Sequence, residues 1–183
     1  RIYEIVEDIV LGMVYLHAKN ILHRDLKSSN VLIGDDWKVK LCDFGLSEMH
    51  SKKKMKVGRA RIGTYQWMAP EVLRKEKNIG FPADVYSFGM VLWELLTHKI
   101  PFEDYMPAQI EGLVGWDETF RIATPTEGDP FLIQVMERCL EKKPEKRPPF
   151  LQILDMLKEH EEEMKQMTSA VVPYSPIHEP RLS

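Results

Sequence analysis

The sequence predicts a mainly α-helical body that carries one small β-hairpin. Three observations lead there. Apolar residues recur at three- and four-residue spacing along much of the chain, the rhythm of helices buried on one face. Strand-like segments are confined to VLI and KVKLC near the N-terminal end, on either side of a turn-like GDDW. With 183 residues, 44% of them hydrophobic, the chain is long enough for one domain with a real core, and a chain of this size buries roughly 70% of its unfolded surface.

Taken in order, Ile2, Ile5, Val6, Ile9, Val10, Met13 and Leu16 form the first amphipathic helix, ended by Ala18-Lys19-Asn20. The hairpin follows. Positions 46 to 62 are polar and basic without periodicity and read as a loop. A short helix is expected after Pro70, through Glu71-Val72-Leu73. Asp84 to Thr97 is apolar almost all round, as a helix at the centre of a domain would be. Ile133 to Leu140 and Phe150 to Met164 give two more helices, separated by Pro144 and Pro148-Pro149. A domain over 1–165 is expected. The remainder, 166–183, contains TSAVVPYSPIHEPRLS from Thr168, with three prolines and no period, and reads as a disordered tail.

Composition narrows the function classes. A net charge of −3 leaves no nucleic-acid or membrane footprint. The longest apolar runs, IVLGMVYL and FGMVLW, fall far short of the ~20 residues that span a bilayer. Cys42 and Cys139 are too few for a disulfide framework, so reduced thiols and a cytoplasmic location are expected. The chain opens without Met, already in helical rhythm, so a native N-terminus with any targeting signal is expected upstream.

The chemistry concentrates in HRDLKSSN at 23–30, followed by DFG at 43–45 and APE at 69–71. Alone, Asp25 reads as a turn residue and Asn30 as a hairpin cap. With DVYSFGMVLWELLT at 84–97 and KRPPF at 146–150 also in order, the sequence resembles the catalytic lobe of eukaryotic protein kinases over about residues 1–165. The resemblance implies the C-terminal lobe of the α+β protein kinase fold and Mg²⁺-assisted transfer of the ATP γ-phosphate to a protein hydroxyl, with Mn²⁺ an alternative ion. ATP and protein substrates are the implied partners.

That chemistry needs positioning and charge neutralisation more than covalent help. Asp25 would accept the hydroxyl proton. Lys27 would meet charge developing on the transferred group. Asn30 and Asp43 offer the hard oxygen ligands that suit Mg²⁺. Gly45 would let the backbone turn without a Cβ clash. By resemblance, Leu32 would pack beneath the adenine with Cys42 close by, although Cys42 also reads as a small buried hydrophobe. Asp84, an acid in an apolar helix, would accept backbone N–H bonds from the catalytic loop. Glu71 and Arg147 would form a buried ion pair. His23 and Phe44 read as packing residues. Leu140 in CLEKKPEKRPPF departs from the family pattern, where many members have Trp.

Two features bear on the acceptor. Lys27 matches serine/threonine-type members, and Thr64, in GTYQWMAPE after Gly63, lies where such kinases place a Thr that bonds both Asp25 and Lys27. Trp67-Met68, Tyr86 and Phe88 are shared with tyrosine kinases. The mixture resembles the tyrosine-kinase-like group, mostly serine/threonine-specific, with dual specificity kept open. KKKMKVGRAR at 52–61 is either a solvated loop or, with Arg24, a set of cations for a phosphate on Ser51.

No G-x-G-x-x-G, V-A-I-K strand or partner-Glu helix occurs. By resemblance these belong to the smaller lobe, expected upstream as a partner in cis, and the 183 residues alone are expected to be inactive. An apolar face around Leu32, Leu41 and Phe44 would then be exposed. A pseudokinase or scaffold module with a kinase fold is the rival reading. Asp25, Asn30 and Asp43 argue against it, and the upstream Lys would decide.

Overall fold

The computed structural model describes residues 1–43, 48–49 and 64–170. Helix α1 (Ile2–Ala18) buries Ile5, Val6, Ile9, Val10, Met13 and Leu16, the one stripe that three- and four-residue spacing produces. It stops where Asn20 takes φ 56°, a left-handed turn that Asn tolerates better than most residues.

Strand β1 (Ile21–Leu22) leads into residues 23–30, whose last three form a 3₁₀ turn, Ser28–Asn30. Strands β2 (Val31–Ile33) and β3 (Val39–Leu41) then pair antiparallel, with Val31 opposite Leu41, Leu32 opposite Lys40 and Ile33 opposite Val39. Strand pleating puts Val31, Val39 and Leu41 toward the core, while Leu32 stands 52% exposed on the other face. Leu41 therefore does not join the exposed apolar face expected for it. It packs so closely on α1 that a Cβ on Gly12 would lie 2.9 Å from its Cδ1.

A second correction concerns the loop read over 46–62. Within it β4 (Glu48–Met49) pairs antiparallel with β1, Ile21 opposite Met49 and Leu22 opposite Glu48. Two residues carry no period, so long-range backbone pairing alone defines that strand.

Helix α2 (Pro70–Leu73) is a single turn begun by Pro at its first position. Helix α3 (Pro82–Thr97) runs through the centre and buries ten residues, from Ala83 to Trp93. Against it lies α5 (Pro130–Cys139), capped at its start by the Asp129 carboxylate, which accepts the Phe131 N–H. The two approach closely because Gly89 has no side chain: a Cβ there would sit 2.8 Å from Leu140 Cδ2 and 2.9 Å from Cys139 Cβ.

Helix α6 (Phe150–Ala170) packs on α1, where the Tyr3 hydroxyl donates to the Leu157 carbonyl. Its first residue, Phe150, sits edge-on to both His17 and Phe88. The helix expected to end at Met164 continues to Ala170. A Glu161–Lys165 ion pair one turn apart and a bond from the Thr168 hydroxyl to the Met164 carbonyl accompany the added turns. Thr168, Ser169 and Ala170 are thus helical, and 171–183 lie outside the described residues. One further element, unforeseen in the sequence, is α4 (Pro107–Ile110), which passes directly into a π-helical segment, Glu111–Trp116.

Candidate active site

The site is built where β1, the 23–30 loop, the hairpin and the start of α3 meet. Asp84, in the first turn of α3 and 2% exposed, accepts the His23 N–H on Oδ2 and the Arg24 N–H on Oδ1, both at 2.9 Å. His17 Nε2 lies 2.9 Å from the same Oδ2. These bonds hold a backbone that would not choose its conformation unaided. Arg24 has φ 66°, a left-handed geometry that costs a bulky residue about 1–2 kcal/mol. The strain falls directly before Asp25, and a carboxylate accepting two N–H groups fixes it.

His23 is fully buried, and burial pulls its imidazole below the ordinary 6.5. Its Nδ1 accepts the Asp25 N–H at 3.3 Å, a role only an unprotonated nitrogen can fill. Asp25 is 3% exposed. Its Oδ2 has Lys27 Nζ and Asn30 Nδ2 each at 3.3 Å, and Asn30 Nδ2 also donates to the Asp25 carbonyl at 2.6 Å. Lys27 Nζ reaches on to Thr64 Oγ1 at 3.4 Å. Thr64 therefore joins the network through Lys27, with no direct hydrogen bond to Asp25.

The Asn30 amide nitrogen is engaged by Asp25, which leaves its Oδ1 as the atom with lone pairs to offer a cation. The Asn30 carbonyl accepts the Cys42 N–H at 3.0 Å, so the residue before Asp43 is tied to Asn30's own backbone. Asp43 is exposed and has φ 59°. Among the described residues no group of three or more His, Cys, Asp and Glu gathers to hold a metal. A site of two protein oxygens suits Mg²⁺, which keeps several waters and takes phosphate oxygens for the rest of its octahedron. Leu32 is the middle residue of β2, opposite Lys40, and Cys42 lies two residues beyond Lys40, just past the end of β3, partly buried with a free thiol.

Arg147 and Glu71 are 5% and 3% exposed. Nη1 donates to Glu71 Oε1 at 2.6 Å and Nη2 to Oε2 at 2.9 Å. The Pro82, Glu141 and Lys142 carbonyls take the other three N–H groups, and the guanidinium stacks 5.0 Å over Tyr86. Leu140 lines a cavity of about 310 Å³ with Tyr86, Phe120 and Met136. Phe44, Gly45, Ser51 and Gly63 lie outside the described residues, as does the expected meeting of Arg24 with Ser51.

A family model described as protein tyrosine and serine/threonine kinase matches residues 1–157. The chain belongs to this family. The kinase chain is 41% identical over 159 residues to the serine/threonine/tyrosine-protein kinase HT1 of Arabidopsis thaliana, covering 87% of this chain and 40% of the relative. It is 42% identical to the serine/threonine-protein kinase CTR1 of the same plant over 153 residues, 82% of this chain and 18% of the relative. For the serine/threonine-protein kinase STY46, also from Arabidopsis thaliana, the figures are 42% over 159 residues, 86% and 27%. The chain thus spans less than half the length of each of these relatives. Serine/threonine names beside sequence features shared with tyrosine kinases mark the tyrosine-kinase-like group.

The kinase chain also brings to its site three residues that sequence reasoning did not select: His17 under Asp84, and Ser28 and Glu94, which bond each other at 2.9 Å. Glu94 carried a signal, a second lone acid in the apolar run of α3. His17 and Ser28 carried none, because their partners lie more than sixty residues away.

Proposed function

We propose that this chain is the substrate-binding lobe of an ATP-dependent protein serine/threonine kinase. The observation that carries the reading is the cluster of Asp25, Lys27, Asn30 and Thr64: Lys27 Nζ stands 3.3 Å from Asp25 Oδ2 and 3.4 Å from Thr64 Oγ1, with Asn30 Nδ2 on the same Asp25 oxygen. Asp25 accepts the acceptor hydroxyl's proton while its carboxylate is oriented by Asn30 and Lys27. The hydroxyl oxygen forms its bond to the γ-phosphorus as the bond to the β–γ bridging oxygen breaks, giving a phosphate ester and ADP. Lys27 places its ammonium against the charge of the transferred group, and Thr64 keeps that ammonium at the acceptor side. Asn30 Oδ1 and Asp43 would hold Mg²⁺, or Mn²⁺ on the same donors, which when bound neutralises phosphate charge. Leu32 would meet the adenine from beneath. Asp84 and the Glu71–Arg147 pair would hold the scaffold, and Arg24 with Ser51 remains the proposed activation contact. The smaller lobe that anchors ATP would be supplied in cis, and the 183 residues alone would transfer no phosphate at a useful rate.

The free thiols of Cys42 and Cys139 suit a cytoplasmic protein. No helix among the described residues is long and apolar enough to cross a membrane.

The test is Asp25→Asn in the full-length protein. Losing a general base should lower the rate of peptide phosphorylation by roughly 10²–10⁴-fold while ATP binding persists. Activity equal to wild type would overturn the assignment. Dual specificity is a second reading, favoured by Trp67-Met68 and by the name of the HT1 relative. Phosphotyrosine in the product digest would establish it, and phosphoserine and phosphothreonine alone would exclude it.

A further inference from the structure

Helix α3 presents more than Asp84 to the reaction centre. Asp84, Ser87 and Glu94 are three and then seven residues apart, which puts them on one side of the helix. Together they hold the 23–28 loop and Trp67. Asp84 takes the His23 and Arg24 N–H groups. Ser87 Oγ donates to the Trp67 carbonyl at 2.8 Å. Glu94 accepts twice, from Ser28 Oγ on Oε1 at 2.9 Å and from Trp67 Nε1 on Oε2 at 2.7 Å. Ser28 directly follows Lys27, and Trp67 is three residues beyond Thr64.

Lys27 and Thr64 meet at 3.4 Å, a long contact between a flexible ammonium and a hydroxyl. Such a bond cannot by itself fix the spacing of the two segments. The Ser28–Glu94–Trp67 bridge is shorter at both ends, 2.9 and 2.7 Å, and two donors from separate segments meet on one carboxylate. Trp67 is 9% exposed and its ring cannot swing without leaving the core. Burial lifts the Glu94 carboxyl above the usual carboxylate range, and its two hydrogen bonds oppose that rise. The Trp67 end of the bridge is part-buried, where its bond counts for more than at an open surface, and the Ser28 end is exposed.

We propose that Glu94 is a positioning residue for phosphoryl transfer: by holding Ser28 and Trp67 it sets how far Lys27 stands from Thr64, and so where the acceptor hydroxyl sits relative to Asp25. The proposal rests on the kinase reading above. It differs from scaffolding in what it affects. A scaffold residue lowers stability; a spacing residue lowers kcat for the acceptor and leaves ATP affinity alone.

The experiment uses the full-length protein with an acceptor peptide, the four single variants Glu94→Ala, Glu94→Gln, Ser28→Ala and Trp67→Phe, and the double variant Ser28→Ala with Glu94→Ala. Displacements below about 1 Å can cost up to ~10²-fold in rate, so a loss in kcat of about tenfold is expected for Glu94→Ala and about threefold for each of the other two deletions. KM for ATP stays unchanged in all of them. Glu94→Gln rescues, because the amide oxygen accepts from Trp67 while the amide nitrogen donates to Ser28. The pair Ser28→Ala with Glu94→Ala is no worse than Glu94→Ala alone, since both remove one bridge.

Thermal unfolding of each variant separates the two roles, and Ser28→Ala, at an exposed position, keeps the question open if Glu94→Ala fails to fold. Unchanged kcat in both Ser28→Ala and Trp67→Phe overturns the proposal, as does a loss in Glu94→Ala that tracks its melting temperature alone. If instead Asp25→Asn leaves the wild-type rate intact, the kinase reading itself has failed, whatever Glu94 does.

Discussion

At the scale of single residues, Arg147 is a heavily engaged side chain among the described residues. A guanidinium has five N–H donors, and here all five are spent: two on Glu71 and one each on the Pro82, Glu141 and Lys142 carbonyls. A lysine at this position could reach at most three acceptors and would lose the stacking over Tyr86. Leaving one charge of a buried pair unpartnered costs about 3–5 kcal/mol. Arg147→Met in the full-length protein should therefore lower stability in denaturant by that amount. Glu71→Leu should cost a similar amount, and the double variant should cost clearly less than the sum, because it buries no orphaned charge. Additive losses would show that the two residues act separately. The sequence pointed to this pair through the family motifs, APE and KRPPF, and not through the residues' own chemistry. An exposed salt bridge would have read the same way. That Arg147 also closes three carbonyls is a property of the fold.

Among the elements, legibility follows period and length. Helix α1 and the β2–β3 hairpin stood out because each repeats its own rhythm for several residues. The Glu111–Trp116 segment did not, since Gly112 and Gly115 interrupt any helical pattern and its support comes from outside. Lys142 Nζ donates to the Leu113, Val114 and Asp117 carbonyls at 3.3, 2.8 and 2.8 Å, and Arg74 Nη1 to the Gly115 carbonyl at 2.8 Å. Two cations from elsewhere in the chain thus satisfy carbonyls that a helix end leaves open. Burial holds the Lys142 ammonium below the usual lysine range, and the nearby Glu118 and Asp117 charges oppose that shift. Lys142→Met keeps the length of the side chain and removes the donors. An unsatisfied buried acceptor costs about 1–3 kcal/mol, and the loss should be local. Hydrogen exchange should quicken over 111–117 while α3 and α5 keep their protection. Uniform loss across the domain would mean that Lys142 supports the whole core instead. The same reasoning explains Glu94: its two partners come from 28 and 67, and nothing local in the chain announces them.

Over the whole molecule, the apolar residues left in solvent decide how the lobe behaves alone. Leu32, Ile33 and Trp37 of the hairpin are 52%, 47% and 49% exposed, and Leu11 and Tyr15 of α1 are 44% and 63% exposed. A closed core runs beneath them, from α1 through α3 to α5 and α6. The lobe should therefore fold on its own 183 residues while presenting apolar surface, the combination that binds partners or aggregates. Purified alone, it should unfold cooperatively, bind an apolar dye at native pH, and phosphorylate a peptide no faster than its Asp25→Asn variant. Replacing Leu32 and Ile33 together by Lys tests the first part. At exposed positions such changes stay within about ±0.5 kcal/mol of stability, so dye binding should fall while the melting temperature holds. An unchanged dye signal would move the apolar surface elsewhere. Transfer that Asp25→Asn abolishes would show that this lobe needs no other to bring ATP to Asp25.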